Sequence, residues 1–122
     1  GVNNLIWVWT SDGKDKDYYP GDEYVDIIGR DYYENDASKY HFSLISDFDA
    51  LYNLTDGKKI ITLSECGAVP EIGNMMQGGD MWSWFMPWNG DFMNSPYNDD
   101  AFFNAQMNSK YVITRDELPS WK

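Results

Sequence analysis

The stretch that decides the fold is Lys59-Ile60-Ile61-Thr62-Leu63-Ser64-Glu65-Cys66-Gly67. A short apolar run of β-branched and aliphatic residues, bounded by turn residues, is typical of a buried strand. The run 59–64 leads directly into Glu65, so this carboxylate lies where a buried strand is expected to end. An ionised carboxylate costs several kcal/mol there unless it is paired or partly solvated. Glu65 is therefore a candidate functional group, with a solvated loop acid as the alternative interpretation.

Three further apolar runs, 4–9, 24–29 and 81–86, have the same strand-like composition. Helices are indicated between them by spacing and by end signals. Phe42, Ile45, Phe48 and Leu51 recur every three or four residues within 38–54 and share one helix face. Residues 70–76 form a shorter helix before Gly78-Gly79, and Asn98-Asp99-Asp100 caps a third helix that begins at about residue 100. The polar link 10–23 is predicted to be a loop with one helical turn.

Alternating strands and helices predict an α/β fold with parallel strands and helices packed outside them. Two architectures are consistent with four such units. One is a small free-standing α/β domain. The other is four βα units equivalent to the C-terminal half of a (β/α)8 TIM barrel, since a complete barrel takes about 250 residues and this chain has 122. Length alone does not separate them.

Composition excludes several functional classes. The chain carries 9 Lys and Arg against 20 Asp and Glu, a net charge of −11, which disfavours nucleic acid and anionic membrane surfaces as partners. One cysteine and one histidine leave no disulfide and no multi-ligand metal site, so no metal is expected. No apolar run approaches the roughly 20 residues of a membrane span, and no export signal precedes the first strand. Aromatic residues make up 17% of the chain, which favours a folded protein with ring platforms for a sugar.

In parallel α/β folds the functional groups collect past the carboxyl ends of the strands. The candidates at these ends are Asp31, Tyr33, Glu65, Trp88 and Asn89. Asp31 and Tyr33 would face the same side of a continuing strand. A tyrosine hydroxyl that reaches a carboxylate holds it in position and ionised; otherwise Tyr33 is a loop residue packed on the rim.

Two other site types are disfavoured by the same residues. A Cys66–His41 nucleophile pair would require the thiol to meet a histidine placed at the start of an outer helix. A calcium loop over 11–17 is interrupted by lysines and lacks the closing glutamate.

These residues resemble the glycoside hydrolase family 26 β-mannanases, specifically the C-terminal half of their catalytic barrel. The matching pieces are Asn4-Leu5-Ile6-Trp7-Val8-Trp9, Tyr19-Pro20-Gly21-Asp22-Glu23-Tyr24-Val25-Asp26-Ile27-Ile28-Gly29, Leu63-Ser64-Glu65-Cys66-Gly67 and Trp84-Phe85-Met86-Pro87-Trp88-Asn89. The resemblance implies that residues 1–122 are a partial catalytic domain with strands five to eight of the barrel.

The resemblance implies a retaining hydrolase of β-1,4-linked mannan that needs no cofactor. Glu65 falls on the family's nucleophile, while Asp31 and Tyr33 fall in the substrate site, with Tyr33 beside the nucleophile. Trp88, with Asn89 next to it, falls on a sugar subsite. The exact polysaccharide is left open, and a non-catalytic carbohydrate-binding α/β module using Trp88 and Tyr33 is the alternative function.

The resemblance also implies that one carboxylate is missing. The family's acid/base glutamate belongs to the fourth strand, and this sequence begins at the fifth, so the chain alone is expected to be inactive. A half-barrel has open strand edges and an apolar inner face, which predict self-association or pairing with an N-terminal half-barrel. The parent protein is expected to be secreted, periplasmic or on the cell surface, with its export signal outside these residues.

Overall fold

The computed structural model describes residues 3–120 and contains one parallel sheet with helices on one face. The strands are β1 (Val8–Ser11), β2 (Ile27–Tyr32), β3 (Ile60–Cys66) and β4 (Phe85–Pro87). The α-helices are α1 (Ile45–Leu54), α2 (Ile72–Gly78) and α3 (Asp100–Met107). All three strand pairs are parallel, which confirms the predicted α/β class.

The strand order in the sheet is β1-β2-β3-β4, the same as the order along the chain. A doubly wound sheet reverses direction at a switch point, whereas a barrel adds each new strand on the same side. The observed order is therefore that of consecutive units from a (β/α)8 barrel. β1 and β4 form the two edges of this sheet.

The strands lie later in the sequence than the composition predicted. β1 begins at Val8 rather than at residue 4, and β4 spans only Phe85–Pro87, so residues 81–84 of the run 81–86 precede the strand. β2 continues to Tyr32, which brings Asp31 inside the strand. The differences arise because apolar content marks burial, whereas strand bounds depend on which backbone groups find a partner.

The helical segments agree with the expectation except at one place. The link between β1 and β2 is a loop with the expected helical turn, the 3-10 turn Lys16–Tyr18, and it contains a second 3-10 turn, Asp22–Tyr24. The helix predicted from residue 38 begins only at Ile45, because His41 has a φ of 67° that no α-helix tolerates. By contrast α2 and α3 follow the prediction, and Asp99 caps α3 by accepting a hydrogen bond from the Phe102 N–H.

The hydrophobic core lies between the sheet and the helices. Its buried members are Ile28, Leu51, Ile61, Leu63, Cys66, Ile72, Met75 and Trp82. Trp82 packs edge-on against Phe48 of α1, with ring centroids 5.2 Å apart, and donates its indole N–H to the buried carboxylate of Asp80. Trp84, two residues further along the chain, is 40% exposed.

The open edge at β1 exposes apolar side chains. Leu5, Ile6, Trp7 and Val8 are each between 42% and 71% exposed. An edge of this kind presents unpaired backbone groups beside apolar surface.

Within residues 3–120, no helix is both long and apolar enough to cross a membrane.

Candidate active site

The side chains of Tyr33 and Glu65 meet at the carboxyl end of the sheet. The Tyr33 hydroxyl donates a hydrogen bond to Glu65 Oε1 at 2.5 Å. Tyr33 directly follows β2, and Glu65 is the next-to-last residue of β3. Strand register places Asp31 opposite Glu65. The structure therefore brings together three of the five predicted site residues, and the expected contact between the tyrosine and a carboxylate is present.

A β-bulge in β3 gives Glu65 this orientation. Ile61 and Leu63 point into the core, so strict alternation would send Glu65 there as well and leave Cys66 on the opposite face. The register advances three residues on β3 from Thr62 to Glu65, but only two on β2 from Gly29 to Asp31. One extra residue reverses the alternation. Cys66 is consequently buried in the core and Glu65 faces Tyr33.

Gly29 of β2 makes the bulge fit between the strands. A Cβ placed on Gly29 would lie 1.7 Å from the Ser64 hydroxyl oxygen and 2.9 Å from that of Thr62. The same two hydroxyls lie 2.8 Å apart and share a hydrogen bond. Only glycine permits this close approach, so the strand carrying Asp31 and the bulge carrying Glu65 are matched in shape.

The site raises the pKa of two of its members. Burial, followed by the neighbouring charge of Glu65, raises the pKa of the Asp31 carboxyl. Its Oδ1 is buried without a hydrogen-bond partner in the structure. Burial and the bond to Glu65 hold the pKa of the Tyr33 phenol far above its usual range. Tyr33 therefore stays protonated and acts as a donor at neutral pH.

Trp88 and Asn89 follow β4 at the same carboxyl end of the sheet. The backbone N–H of Trp88 donates to the carbonyl of Cys66 at 2.8 Å, which places Trp88 beside the end of the strand that carries Glu65. Trp88 as a whole residue is 43% exposed. Asn89 precedes a 3-10 turn over Gly90–Met93. Both residues thus lie at the predicted strand end, with the Trp88 ring accessible to solvent.

Two supporting residues were missed by the sequence analysis. The Phe92 ring packs edge-to-face on Tyr33, with centroids 5.0 Å apart. Asn98, which is 1% exposed, hydrogen-bonds the carbonyls of Gly67 and Phe92 and the N–H of Val69. Asn98 precedes two acidic residues at a helix start, so the sequence indicated only a helix cap. No other sequence signal shows that Asn98 links two loops.

Metal and thiol chemistry both depend on how the acidic side chains, Cys66 and His41 are surrounded. Within residues 3–120, no three His, Cys, Asp or Glu side chains are grouped to hold a metal. Burial raises the pKa of the Cys66 thiol to about 12, so the thiolate is scarce at neutral pH. The His41 Nδ1 lies 2.6 Å from the Val69 carbonyl, and its ring packs on Phe102.

Fold and site together define a class of protein. A parallel sheet whose strands follow the order of the chain is the arrangement of consecutive units of a (β/α)8 barrel, and such barrels carry their functional residues at the carboxyl ends of the strands. The sequence model for glycosyl hydrolase family 26 matches residues 1–117, and the chain belongs to this family.

The relatives are mannanases. The chain is 37% identical to mannan endo-1,4-β-mannosidase B of a Piromyces species over 99% of this chain and 20% of that protein. It is 35% identical to the mannan endo-1,4-β-mannosidase of Thermothelomyces thermophilus over 100% of this chain and 24% of that protein. The chain thus spans a quarter or less of the length of these relatives.

Solved structures of family members superpose on the same elements. The β-(1,4)-mannanase of Podospora anserina matches with a TM-score of 0.84 at 39% identity, over 96% of this chain and 25% of that one. A β-mannanase from a symbiotic protist of the termite Reticulitermes speratus, solved with a gluco-manno-oligosaccharide, also gives 0.84 at 38% identity, over 98% of this chain and 36% of that one. The four-stranded sheet therefore corresponds to a fragment of the family's (β/α)8 barrel.

Proposed function

We propose that this chain is the C-terminal half of the catalytic barrel of a retaining endo-β-1,4-mannanase, with Glu65 as the nucleophile. The observation that carries the proposal is the 2.5 Å hydrogen bond from Tyr33 to Glu65 Oε1, at the strand end where barrel enzymes place their chemistry. Family membership over residues 1–117 and the mannanase names of the relatives support the substrate class.

The proposed reaction begins with attack by Glu65. A carboxylate oxygen forms a bond to the anomeric carbon while the bond to the leaving oxygen breaks, and a second carboxyl group protonates that oxygen. Tyr33 engages Oε1 and leaves Oε2 for the attack. Water then hydrolyses the glycosyl ester and restores Glu65, so the product keeps the β configuration.

Asp31 is a poor candidate for the second carboxyl group. A retaining enzyme places its two carboxyl groups about 5 to 5.5 Å apart with the scissile bond between them. Asp31 instead pairs with Glu65 across adjacent strands, on the same side of an arriving sugar. We assign its unpartnered Oδ1 to a substrate hydroxyl. The acid/base group is supplied by another part of the barrel, so the 122 residues alone are inactive.

Trp88 and Asn89 complete the proposed sugar site. Trp88 is 43% exposed, and an indole at the rim of a carboxyl-end site offers a flat apolar face to a pyranose ring. Asn89 adds an amide that can donate to and accept from sugar hydroxyls. We propose that the substrate is a β-mannan polymer and that the parent protein is exported, because such a polymer does not enter cells.

The test compares hydrolysis by the intact parent protein with that of two glutamine variants. Glu65→Gln removes the nucleophile and is expected to reduce kcat by about 10⁴-fold or more. Glu23→Gln makes the same chemical change at an exposed residue outside the site and is expected to leave kcat unchanged. Proton NMR of the first product should show the β anomer.

Two results would overturn the proposal. One is a Glu65→Gln enzyme that retains its kcat, and the other is hydrolysis of mannan by the purified 122-residue chain. Binding of manno-oligosaccharides with no hydrolysis by the intact protein would favour the carbohydrate-binding module instead.

A further inference from the structure

The direction of the Tyr33 hydroxyl is set by packing beyond the sheet. β2 ends at Tyr32, whose carbonyl accepts a hydrogen bond from the Gly67 N–H at 3.1 Å. The Tyr33 ring then packs edge-to-face on Phe92 at an interplanar angle of 62°. It also lies over Gly67, where an added Cβ would stand 3.1 Å from the Tyr33 ring and 3.2 Å from the Phe92 ring. These neighbours leave the ring little freedom.

Phe92 is itself held by a buried amide. Asn98 is 1% exposed and donates to the Phe92 carbonyl at 2.6 Å and to the Gly67 carbonyl at 2.8 Å. Its Oδ1 accepts from the Val69 N–H at 2.8 Å. Both amide hydrogens are therefore used. One side chain thus ties the loop after β4 to the segment after β3.

We propose that Asn98 and Phe92 are positioning residues for Glu65, which they orient through Tyr33. Asn98 with its partners Gly67, Val69 and Phe92 forms what we call the Asn98 clamp. The inference rests on the proposed function, because it concerns the same carboxylate. The Asn98 clamp holds Phe92 against the Tyr33 ring, and the ring holds its hydroxyl on Oε1. Neither Asn98 nor Phe92 touches the reacting atoms.

The energetic reason is that a nucleophile loses rate steeply when it is misplaced. A displacement of about 1 Å, caused by a change away from the chemistry, costs on the order of 100-fold in rate. The Tyr33–Glu65 bond is short and involves a charged acceptor, so its geometry is demanding. A purely structural role for Asn98 would affect stability but not this bond, and the two roles are therefore separable by experiment.

The kinetic test is a double-mutant cycle in the intact parent protein. Phe92→Leu removes the ring that packs on Tyr33, and it is expected to reduce kcat about 10- to 100-fold with little change in KM. In a Tyr33→Phe background, Phe92→Leu should lower kcat further by less than about twofold, because the hydroxyl that Phe92 positions is already gone. Phe48→Leu, which loosens a ring packed on Trp82, is the matched control and should leave kcat unchanged. Losses that multiply in the double mutant would overturn the inference.

The second readout does not depend on activity. Tyrosine labelled with ¹³C at the ring carbon that bears the hydroxyl reports each phenol's ionisation, and Tyr33→Phe identifies the Tyr33 signal. Phe92→Leu and Asn98→Asp should lower the Tyr33 pKa toward the ordinary value of about 10, whereas Phe48→Leu should not. If Asn98→Asp does not fold, Phe92→Leu decides alone.

The two possible failures are distinct. If Phe92→Leu leaves the Tyr33 pKa unchanged, the positioning role is overturned, whatever the activity of Glu65→Gln. Full activity of Glu65→Gln instead overturns the proposed nucleophile, and it is observed in a different variant.

Discussion

Replacing Gly29 by alanine tests whether the bulge that aims Glu65 depends on a close fit between β2 and β3. The new Cβ would lie 1.7 Å from Ser64 Oγ and 2.9 Å from both Ser64 Cβ and Thr62 Oγ1. The φ of Gly29 is not in the left-handed region, so the penalty is entirely steric. Contacts this short force the two strands apart or push Ser64 from its position.

The expected cost follows from overpacking. Extra methyl groups in a well-packed interior destabilise by about 1–3 kcal/mol. At roughly 4 °C per kcal/mol for a chain of this size, the melting temperature should fall by about 4–12 °C. Because Ser64 precedes Glu65, the same displacement should weaken the Tyr33–Glu65 bond and lower kcat in the intact protein.

The assay is urea and thermal unfolding followed by tryptophan fluorescence, with relief by a second substitution. Ser64→Gly removes both Ser64 contacts and should recover most of the loss caused by Gly29→Ala. Ser64→Ala leaves the Cβ contact at 2.9 Å and should recover less. Gly73→Ala is the control, because the nearest atoms to its Cβ belong to the Glu71 carboxyl at 3.0–3.4 Å, far longer than the contact at Gly29, and alanine favours the helix.

Either of two results would show that Glu65 does not depend on a close fit between β2 and β3. Gly29→Ala could unfold at the same urea concentration as the wild type, or Ser64→Gly could bring no more relief than Ser64→Ala.

Three further predictions concern single side chains of the site and of the core beside it. Tyr33→Phe keeps the ring on Phe92 but removes a charge-assisted bond of about 1.5–3 kcal/mol, so kcat/KM for mannan should fall about 10- to 100-fold; an unchanged value would contradict the proposed role. The raised pKa of Asp31 means that its charge opposes folding once the pH rises above the carboxyl's ordinary range of about 4. Asp31→Asn should therefore be more stable than the wild type at neutral pH, with the gain vanishing as the pH falls below that range in urea titrations; a gain that persists in acid would refute the assignment. Cys66 is buried with a raised pKa, so iodoacetamide should label it only after unfolding, as mass spectrometry would show, and rapid labelling of the native chain would refute this burial.

Part of the fold follows from local sequence signals. The helix after Asp99 was predicted because a side-chain acceptor and an acidic first turn satisfy free N–H groups, and the structure contains both. β3 was predicted from a run of aliphatic residues, and its residues 61–63 are buried as expected. Such signals act over a few residues, so they are present before any tertiary contact forms.

The remaining features depend on contacts between distant segments. The bulge in β3 arises from pairing with two neighbouring strands, and nothing in Leu63-Ser64-Glu65 alone sets the extra residue. Simple alternation would have pointed Glu65 into the core. Asn98 joins residues about 30 positions away, so its role appears only when both loops are folded. The candidate residues could thus be placed at strand ends from the sequence, but their orientation could not.

The central claim is that Glu65 attacks the anomeric carbon, and covalent trapping tests it most directly. A 2-deoxy-2-fluoro mannoside with a fluoride leaving group needs little acid catalysis and forms a glycosyl ester that hydrolyses slowly. The intact parent protein should gain the mass of one fluorosugar, and peptide mapping should locate it on Glu65. Glu65→Gln should gain none. A label on another residue, or on Glu65→Gln, would contradict the claim.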